Sequence, residues 1–133
     1  MRYVDVNVFV YWLGDDPIYG AHATEIIARI ERGERAATSS LSLWLTNVVL
    51  NSLAERYSER EYIDKIKALN FLRVEPLLFE DYIRATEYVE KNSLDLEDAL
   101  HLATAMRLGA DEIYSNDADF DKTSLKRVGF DVN

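Results

Sequence analysis

Arg2-Tyr3-Val4-Asp5-Val6-Asn7-Val8-Phe9 is the stretch on which the reading of this chain turns. Its first part, Arg2–Asp5, reads as a short strand, apolar enough to be buried on both faces as strands of a parallel sheet are. Aspartate is disfavoured inside a strand, so Asp5 belongs at its end, where an open α/β sheet keeps its ligand crevice. Asp5 equally suits the cap of a helix spanning about Asn7–Leu13, because Asp and Asn lead the N-cap preferences. Both readings stand at this point.

Outward from that strand the pattern alternates. Gly14-Asp15-Asp16-Pro17 is a turn, with Pro17 suited to the start of the next helix. Tyr19–Arg32 is amphipathic, with Ile26, Ile27 and Ile30 at helical spacing, and Gly33 stops it. Arg35–Thr38 is a minimal strand. Ser39 and Ser40 are natural N-caps for a helix running to about Tyr57, and Ser58-Glu59-Arg60-Glu61 is a capping box that opens another. Phe71–Val74 reads as a strand ending before Pro76. Phe79–Lys91 is helical, with Tyr82, Thr86 and Val89 on one stripe. Asp95–Leu108 is a further helix closed by Gly109. Glu112–Ser115 and Arg127–Val132 are the remaining strands. Strands alternating with helices predict an α/β fold, a doubly wound, three-layer parallel sheet with helices on both faces.

Size and composition fit that fold. The chain has 133 residues, enough for one domain that buries roughly two thirds of its unfolded surface. It has no cysteine, which excludes disulfides and thiolate metal sites, and its two histidines, His22 and His101, are far apart, which leaves little for zinc. No apolar run is long enough to span a bilayer, and the first residues enter a strand at once, so neither a signal peptide nor an anchor is expected and the cytoplasm is the expected location. The net charge of −9 argues against a broad basic footprint for nucleic acid. Local groups such as Arg56, Arg60, Lys65 and Lys67 would have to serve any anionic substrate.

The acids are placed where chemistry needs them. Asp5, Asp98, Asp117 and Asp119 all lie where an apolar strand runs out or a helix begins. Three such carboxylates converging from distant sequence make a hard, oxygen-only pocket suited to magnesium or manganese, and hence to metal-assisted chemistry on phosphate. Each has a plainer role too. Asp95 caps its helix, which makes Asp98 the third helical residue in a shortened capping box, and Ser115-Asn116-Asp117-Ala118-Asp119-Phe120 can be a turn after the strand Glu112–Ser115. What favours chemistry at Asp98 is its face, shared with Leu94, His101, Leu102 and Ala105 at three- and four-residue steps; an acid on an inward stripe needs a partner. Glu97 points about 100° away and is expected in solvent. His101 reads as a hydrogen-bonded core histidine before a catalyst. Phe120 is expected as a buried plug beneath its loop. The aromatics of Trp12–Tyr19, Trp44 and Tyr57 fit either a partner surface or the core.

In this order the pieces resemble the PIN domain, and within it the VapC-type toxins of toxin–antitoxin pairs. The matching stretches are Tyr3-Val4-Asp5-Val6-Asn7-Val8-Phe9, Thr38-Ser39-Ser40-Leu41-Ser42-Leu43, Leu96-Glu97-Asp98-Ala99-Leu100-His101-Leu102-Ala103-Thr104-Ala105 and Ser115-Asn116-Asp117-Ala118-Asp119-Phe120. The likeness runs through Arg127–Val132, so the whole of residues 1–133 is expected to form one PIN-like domain. It implies a magnesium- or manganese-dependent endoribonuclease that hydrolyses RNA phosphodiester bonds, acts as a homodimer and is neutralised by a small protein antitoxin. By the same resemblance Asp5, Asp98 and Asp117 are the metal ligands and, with Asp119 as helper, the catalytic acids. Ser115 supports the site and Asn7 orients the first acid. The family's second acid, a glutamate early in the helix after Ser39-Ser40, falls at or beside Leu45. The next carboxylate, Glu55, is ten residues on, about 15 Å along a helix.

Other readings fit less of the chain. The vacant second position allows a PIN-like module that binds a protein or RNA without cutting it. A haloacid-dehalogenase-like phosphatase needs Asp-x-Asp after its first strand, where this chain has Asp5-Val6-Asn7. A receiver-like domain with Asp5 as phosphoacceptor lacks the acidic pair expected before that strand.

Overall fold

The computed structural model describes residues 1–53 and 58–130. The strands are β1 (Arg2–Val4), β2 (Ala36–Ser39), β3 (Leu72–Glu75), β4 (Glu112–Tyr114) and β5 (Lys126–Val128). The helices are α1 (Val6–Leu13), α2 (Gly20–Glu31), α3 (Ser40–Leu53), α4 (Glu59–Lys67), α5 (Phe79–Asn92) and α6 (Leu96–Arg107), with a 3-10 turn at Ala118–Lys122. Among the described residues this is the expected α/β architecture. The strands form one sheet in the order β3-β2-β1-β4-β5, and every pairing is parallel.

Strand periodicity builds the layers. Successive side chains leave a strand on opposite faces. Val4 and Tyr114 therefore join one core, with Phe9 of α1, Ile26, Ile27 and Ile30 of α2, and Tyr62 and Ile66 of α4. Their neighbours Tyr3 and Ile113 join the other core, with Ala85 of α5 and Leu100, Leu102 and Ala103 of α6. From β1 the chain moves outward to β2 and β3, then returns to place β4 on the other side of β1. The carboxyl ends of β1 and β4 thus flank the point where strand order reverses, the usual place for a ligand crevice.

Local signals explain most element ends and correct others. Ser58 caps α4 by accepting from the Glu61 N–H at 3.2 Å, and Asp95 caps α6 by accepting from the Asp98 N–H at 2.8 Å. Gly33, with φ +118°, holds a backbone conformation that side chains resist, which ends the α2 region as expected. Pro17 does not begin α2. It lies in a turn where the Asp16 carboxylate accepts from the Ile18 and Tyr19 N–H groups, so the helix starts only at Gly20. β1 stops at Val4 because Asp5 is already the cap of α1. β5 ends at Val128, short of the expected Val132; Gly129 has φ +99°, and residues 131–133 lie outside the described part. The expected extension of the third helix to Tyr57 also falls on residues outside it. In α5 the inward residues are Asp81, Ala85, Tyr88 and Val89, so Val89 packs as expected while Tyr82 and Thr86 are exposed.

Asp81 lies on that inward face. Its carboxylate is fully buried and accepts from Arg107 Nε at 2.9 Å and from Arg107 Nη2 at 3.1 Å, joining α5 to α6, and from the Leu78 N–H at 2.9 Å. Arg107 also donates to the Pro76 carbonyl. Burial alone would raise the Asp81 pKa, but Arg107 and the Leu78 N–H outweigh it and hold the carboxyl below its ordinary value. An acid with a lowered folded pKa stabilises above its unfolded pKa, and that contribution is lost as pH falls. Replacing Arg107 with Met is expected to cost about 2–3 kcal/mol at pH 7, at the low side for breaking a buried pair because Arg107 is partly exposed. In urea unfolding the penalty should shrink at pH 3. A penalty that does not change with pH would contradict this account of the pair.

Candidate acidic active site

β1 and β4 pair with Val4 level with Tyr114, and the Asp5 N–H donates to the Tyr114 carbonyl at 3.0 Å. Asp5 and Ser115 therefore leave the sheet side by side. The Ser115 hydroxyl donates to Asp5 Oδ2 at 2.7 Å and accepts from the Asp117 N–H at 3.0 Å. One buried hydroxyl thus ties the acid after β1 to the acid after β4. The other Asp5 oxygen, Oδ1, accepts from the Val6 N–H at 2.8 Å. The capping role and the crevice position coexist in Asp5.

α6 supplies the facing acids. Its N-terminus ends at the crevice, and Asp98 is buried there with 7 % of its surface exposed. A cavity of about 210 Å³ is lined by Asp5, Asn7, Glu97, Asp98 and Asp117, with an apolar wall of Val6, Val10 and Val49. Among the described residues, carboxylate oxygens of Asp98, Asp117 and Asp119 lie within 4.8 Å of one another. Asp5 is outside that trio, although it lines the same cavity. Asp119 is half-buried; its N–H donates to Asp117 Oδ1 at 2.9 Å and its carboxylate meets Lys122 Nζ at 3.2 Å. Phe120 beneath this loop is fully buried.

The site is electrostatically uncomfortable. Burial, then Asp117, Asp95, Asp5 and Glu97, push the Asp98 carboxyl up to about 8. Burial and the charges of Asp5, Asp95 and Asp117 also raise Glu97. A cation among these oxygens would relieve that repulsion, and a set of carboxylate oxygens is what a hard divalent ion takes.

Not every expected residue does what was expected of it. Glu97 is exposed, yet it sits on the cavity rim instead of pointing away from it. It is the second residue of α6, next to Asp98, and these two residues of the first turn line the cavity. Asn7 lines the cavity, but its side-chain oxygen accepts from the Asn116 N–H at 3.5 Å and not from any group of Asp5. Leu45 is half-buried and off the cavity; one turn later Val49 forms the wall, and α3, Ser40–Leu53, contains no carboxylate. Glu55 and Arg56 fall outside the described residues. Arg60, Lys65 and Lys67 are exposed on α4. His101 is wholly buried in the core, its Nδ1 bonded to the Tyr3 hydroxyl at 2.8 Å, and burial lowers its pKa despite the nearby Asp5 and Asp95 charges.

Comparison with known proteins follows this geometry. A family model described as PIN domain matches residues 2–126. The fold is similar to VapC20 of Mycobacterium tuberculosis, a sarcin–ricin loop cleaving toxin, with TM-score 0.74 and 20 % identity over 91 % of this chain and 93 % of that one. It is also similar to a chain of a toxin–antitoxin complex from Klebsiella pneumoniae, with TM-score 0.67 and 16 % identity over 95 % and 99 %. A chain of VapBC2 from Rickettsia felis, solved bound to a promoter DNA fragment, gives TM-score 0.66 and 17 % identity over 96 % and 98 %. A search of curated proteins by sequence finds no match.

A raised carboxyl pKa makes a pH-dependent penalty. The folded protein holds the Asp98 proton up to about 8 and the unfolded chain releases it near 4, so stability falls as pH rises through that window. In metal-free buffer, Asp98→Asn is expected to raise Tm at pH 8.5 by about 3 °C or more and to change it little at pH 4. Glu87→Gln, the same charge change on an exposed face of α5, is the control. Equal shifts for both variants at pH 8.5 would show that only net charge is at work.

Proposed function

The chain belongs to the PIN domain family, and on that premise we propose that it is a VapC-type endoribonuclease, the toxin of a toxin–antitoxin pair, which hydrolyses RNA phosphodiester bonds with Mg²⁺ or Mn²⁺. The observation that carries this reading is the meeting of Asp98, Asp117 and Asp119 within 4.8 Å, beside Asp5, at the strand-order reversal.

Asp98, Asp117 and Asp119 would hold the ion, with Asp5 contributing charge from the cavity wall. When bound, such an ion supplies Lewis acidity to a phosphate oxygen and lowers the pKa of water. The protein's part is orientation. Ser115 and the Val6 N–H fix the Asp5 carboxylate, and Asp117 is fixed by the same hydroxyl and by the Asp119 N–H. To Asp119, half-buried and beside Lys122, we assign the further task of orienting an attacking water or taking its proton. Val6, Val10 and Val49 keep one wall of the cavity dry. Arg60, Lys65 and Lys67 on α4 are cations available to the RNA backbone.

An antitoxin and a second copy of the chain are the proposed partners, acting with it in the cytoplasm. Among the described residues no helix is long and apolar enough to cross a membrane. Trp44, 62 % exposed, borders a groove with Leu43, Tyr62 and Ile63 between α3 and α4, which suits a protein partner. A second reading, a PIN-like module that binds without cutting, is favoured by one feature: α3 offers the site Val49 and no acid.

Ribonuclease rate separates the two. With Mn²⁺ the wild type is expected to cut RNA, and Asp98→Asn and Asp117→Asn to lose about 100-fold or more, the scale of deleting a group that acts on developing charge. Cleavage that is equal in all proteins, or indifferent to chelator, would reject the enzyme. Absence of cleavage with RNA still bound would favour the module.

A further inference from the structure

Tyr3, His101, Asp5, Ser115 and Asp117 form a polar chain that runs under the acidic cavity with one link open. The His101 ring is entirely enclosed. Its Nδ1 is engaged by the Tyr3 hydroxyl at 2.8 Å, while Nε2 has no hydrogen-bond partner among the described residues. Asp5 Oδ1 lies 4.0 Å from that nitrogen. Beyond Asp5 the chain is closed again, through Ser115 Oγ to the Asp117 N–H.

We infer that His101 is a positioning residue for the acidic site: its Nε2–H lies beside the Asp5 carboxylate and supports it together with the Ser115 and Val6 donors. This deepens the nuclease reading and rests on it for the purpose the carboxylate serves.

Chemistry selects the tautomer. A neutral imidazole carries its proton on one nitrogen and a lone pair on the other. With the proton on Nδ1, a lone pair would lie beside a carboxylate and two like charge densities would oppose each other in a dry interior. With the Tyr3 hydroxyl donating to Nδ1, the proton sits on Nε2, beside Oδ1. A buried donor without an acceptor is costly, and Asp5 Oδ1 is the oxygen beside it. The 4.0 Å exceeds a hydrogen bond and Oδ1 keeps its bond to the Val6 N–H, so Nε2–H acts on the carboxylate as an electrostatic partner beside the Ser115 and Val6 donors. Asp5 borders the cavity outside the trio that would hold the ion, so this contact acts on the cation through the placement of Asp5's charge, at the low end of the 10–100-fold that outer partners of a metal site carry.

Two variants separate positioning from packing. His101→Gln retains an amide donor at the reach of Nε2. His101→Asn retains only a group at the reach of Nδ1, so it still answers Tyr3 but offers nothing to Asp5. Long-range proton–nitrogen NMR of the metal-free protein is expected to show the Nε2–H tautomer in the wild type and a shifted Nε2–H signal in Asp5→Asn. Manganese titration calorimetry is expected to show about 10-fold weaker binding for His101→Asn and binding near wild type for His101→Gln. An Nδ1–H tautomer, an Nε2 signal indifferent to Asp5→Asn, or equal manganese affinity for wild type and His101→Asn would each overturn the inference. A wild type that binds no manganese would instead defeat the nuclease reading and with it the purpose of the contact, whereas the metal-free spectra would still report whether His101 meets Asp5.

Discussion

The Ser115 hydroxyl is the junction on which the site depends. It donates to one buried acid and accepts from the backbone of another, at the place where two parallel strands stop side by side. Without such ties, acids arriving from three parts of the chain would repel and turn outward to water. The fold holds them by giving several a second, structural duty. Asp5 caps α1, Asp95 caps α6, and Asp117 receives the N–H of Asp119. Each capping bond fixes a carboxylate whose charge would otherwise destabilise its neighbours. The remaining strain falls on Asp98, whose pKa is raised first by burial and then by the neighbouring acids.

Much of the architecture was legible because it follows from period and punctuation. Short apolar runs alternating with amphipathic stretches implied a parallel sheet wound on both sides, and five parallel strands are found among the described residues. Asp95 and Ser58 were readable as caps because their side chains act within one turn. Pro17 misled because Asp16 builds a turn of its own and delays α2 to Gly20. The face of α5 was legible only in part, for a different reason. Apolar spacing pointed to Tyr82, Thr86 and Val89, of which Val89 packs on the core; the buried face also carries Asp81 and its bond to Arg107, a long-range pairing that no local pattern encodes.

The site shows the same division. Strand ends mark where acids gather, so Asp5, Asp98 and Asp117 around one cavity could be anticipated from position. The closer partnership of Asp98, Asp117 and Asp119, with Asp5 set apart, depends on the 3-10 turn after β4, which turn residues signal only loosely. Glu97 is exposed as expected, and the structure adds that it also borders the cavity. His101 was rightly read as a core histidine; its open nitrogen beside Asp5 is visible only once β1 and α6 are brought together. The vacant second acid near Leu45 is a matter of sequence, and the structure adds that α3 meets the cavity through Val49.

The central claim is that these far-separated carboxylates share one divalent cation. Its most direct test is a crystal soaked in Mn²⁺ and measured for anomalous scattering. The account predicts a single strong peak bounded by Asp98, Asp117 and Asp119, on the Asp5 side of the α6 N-terminus. A cavity without a peak at millimolar Mn²⁺, or a peak only at surface acids elsewhere, would contradict it.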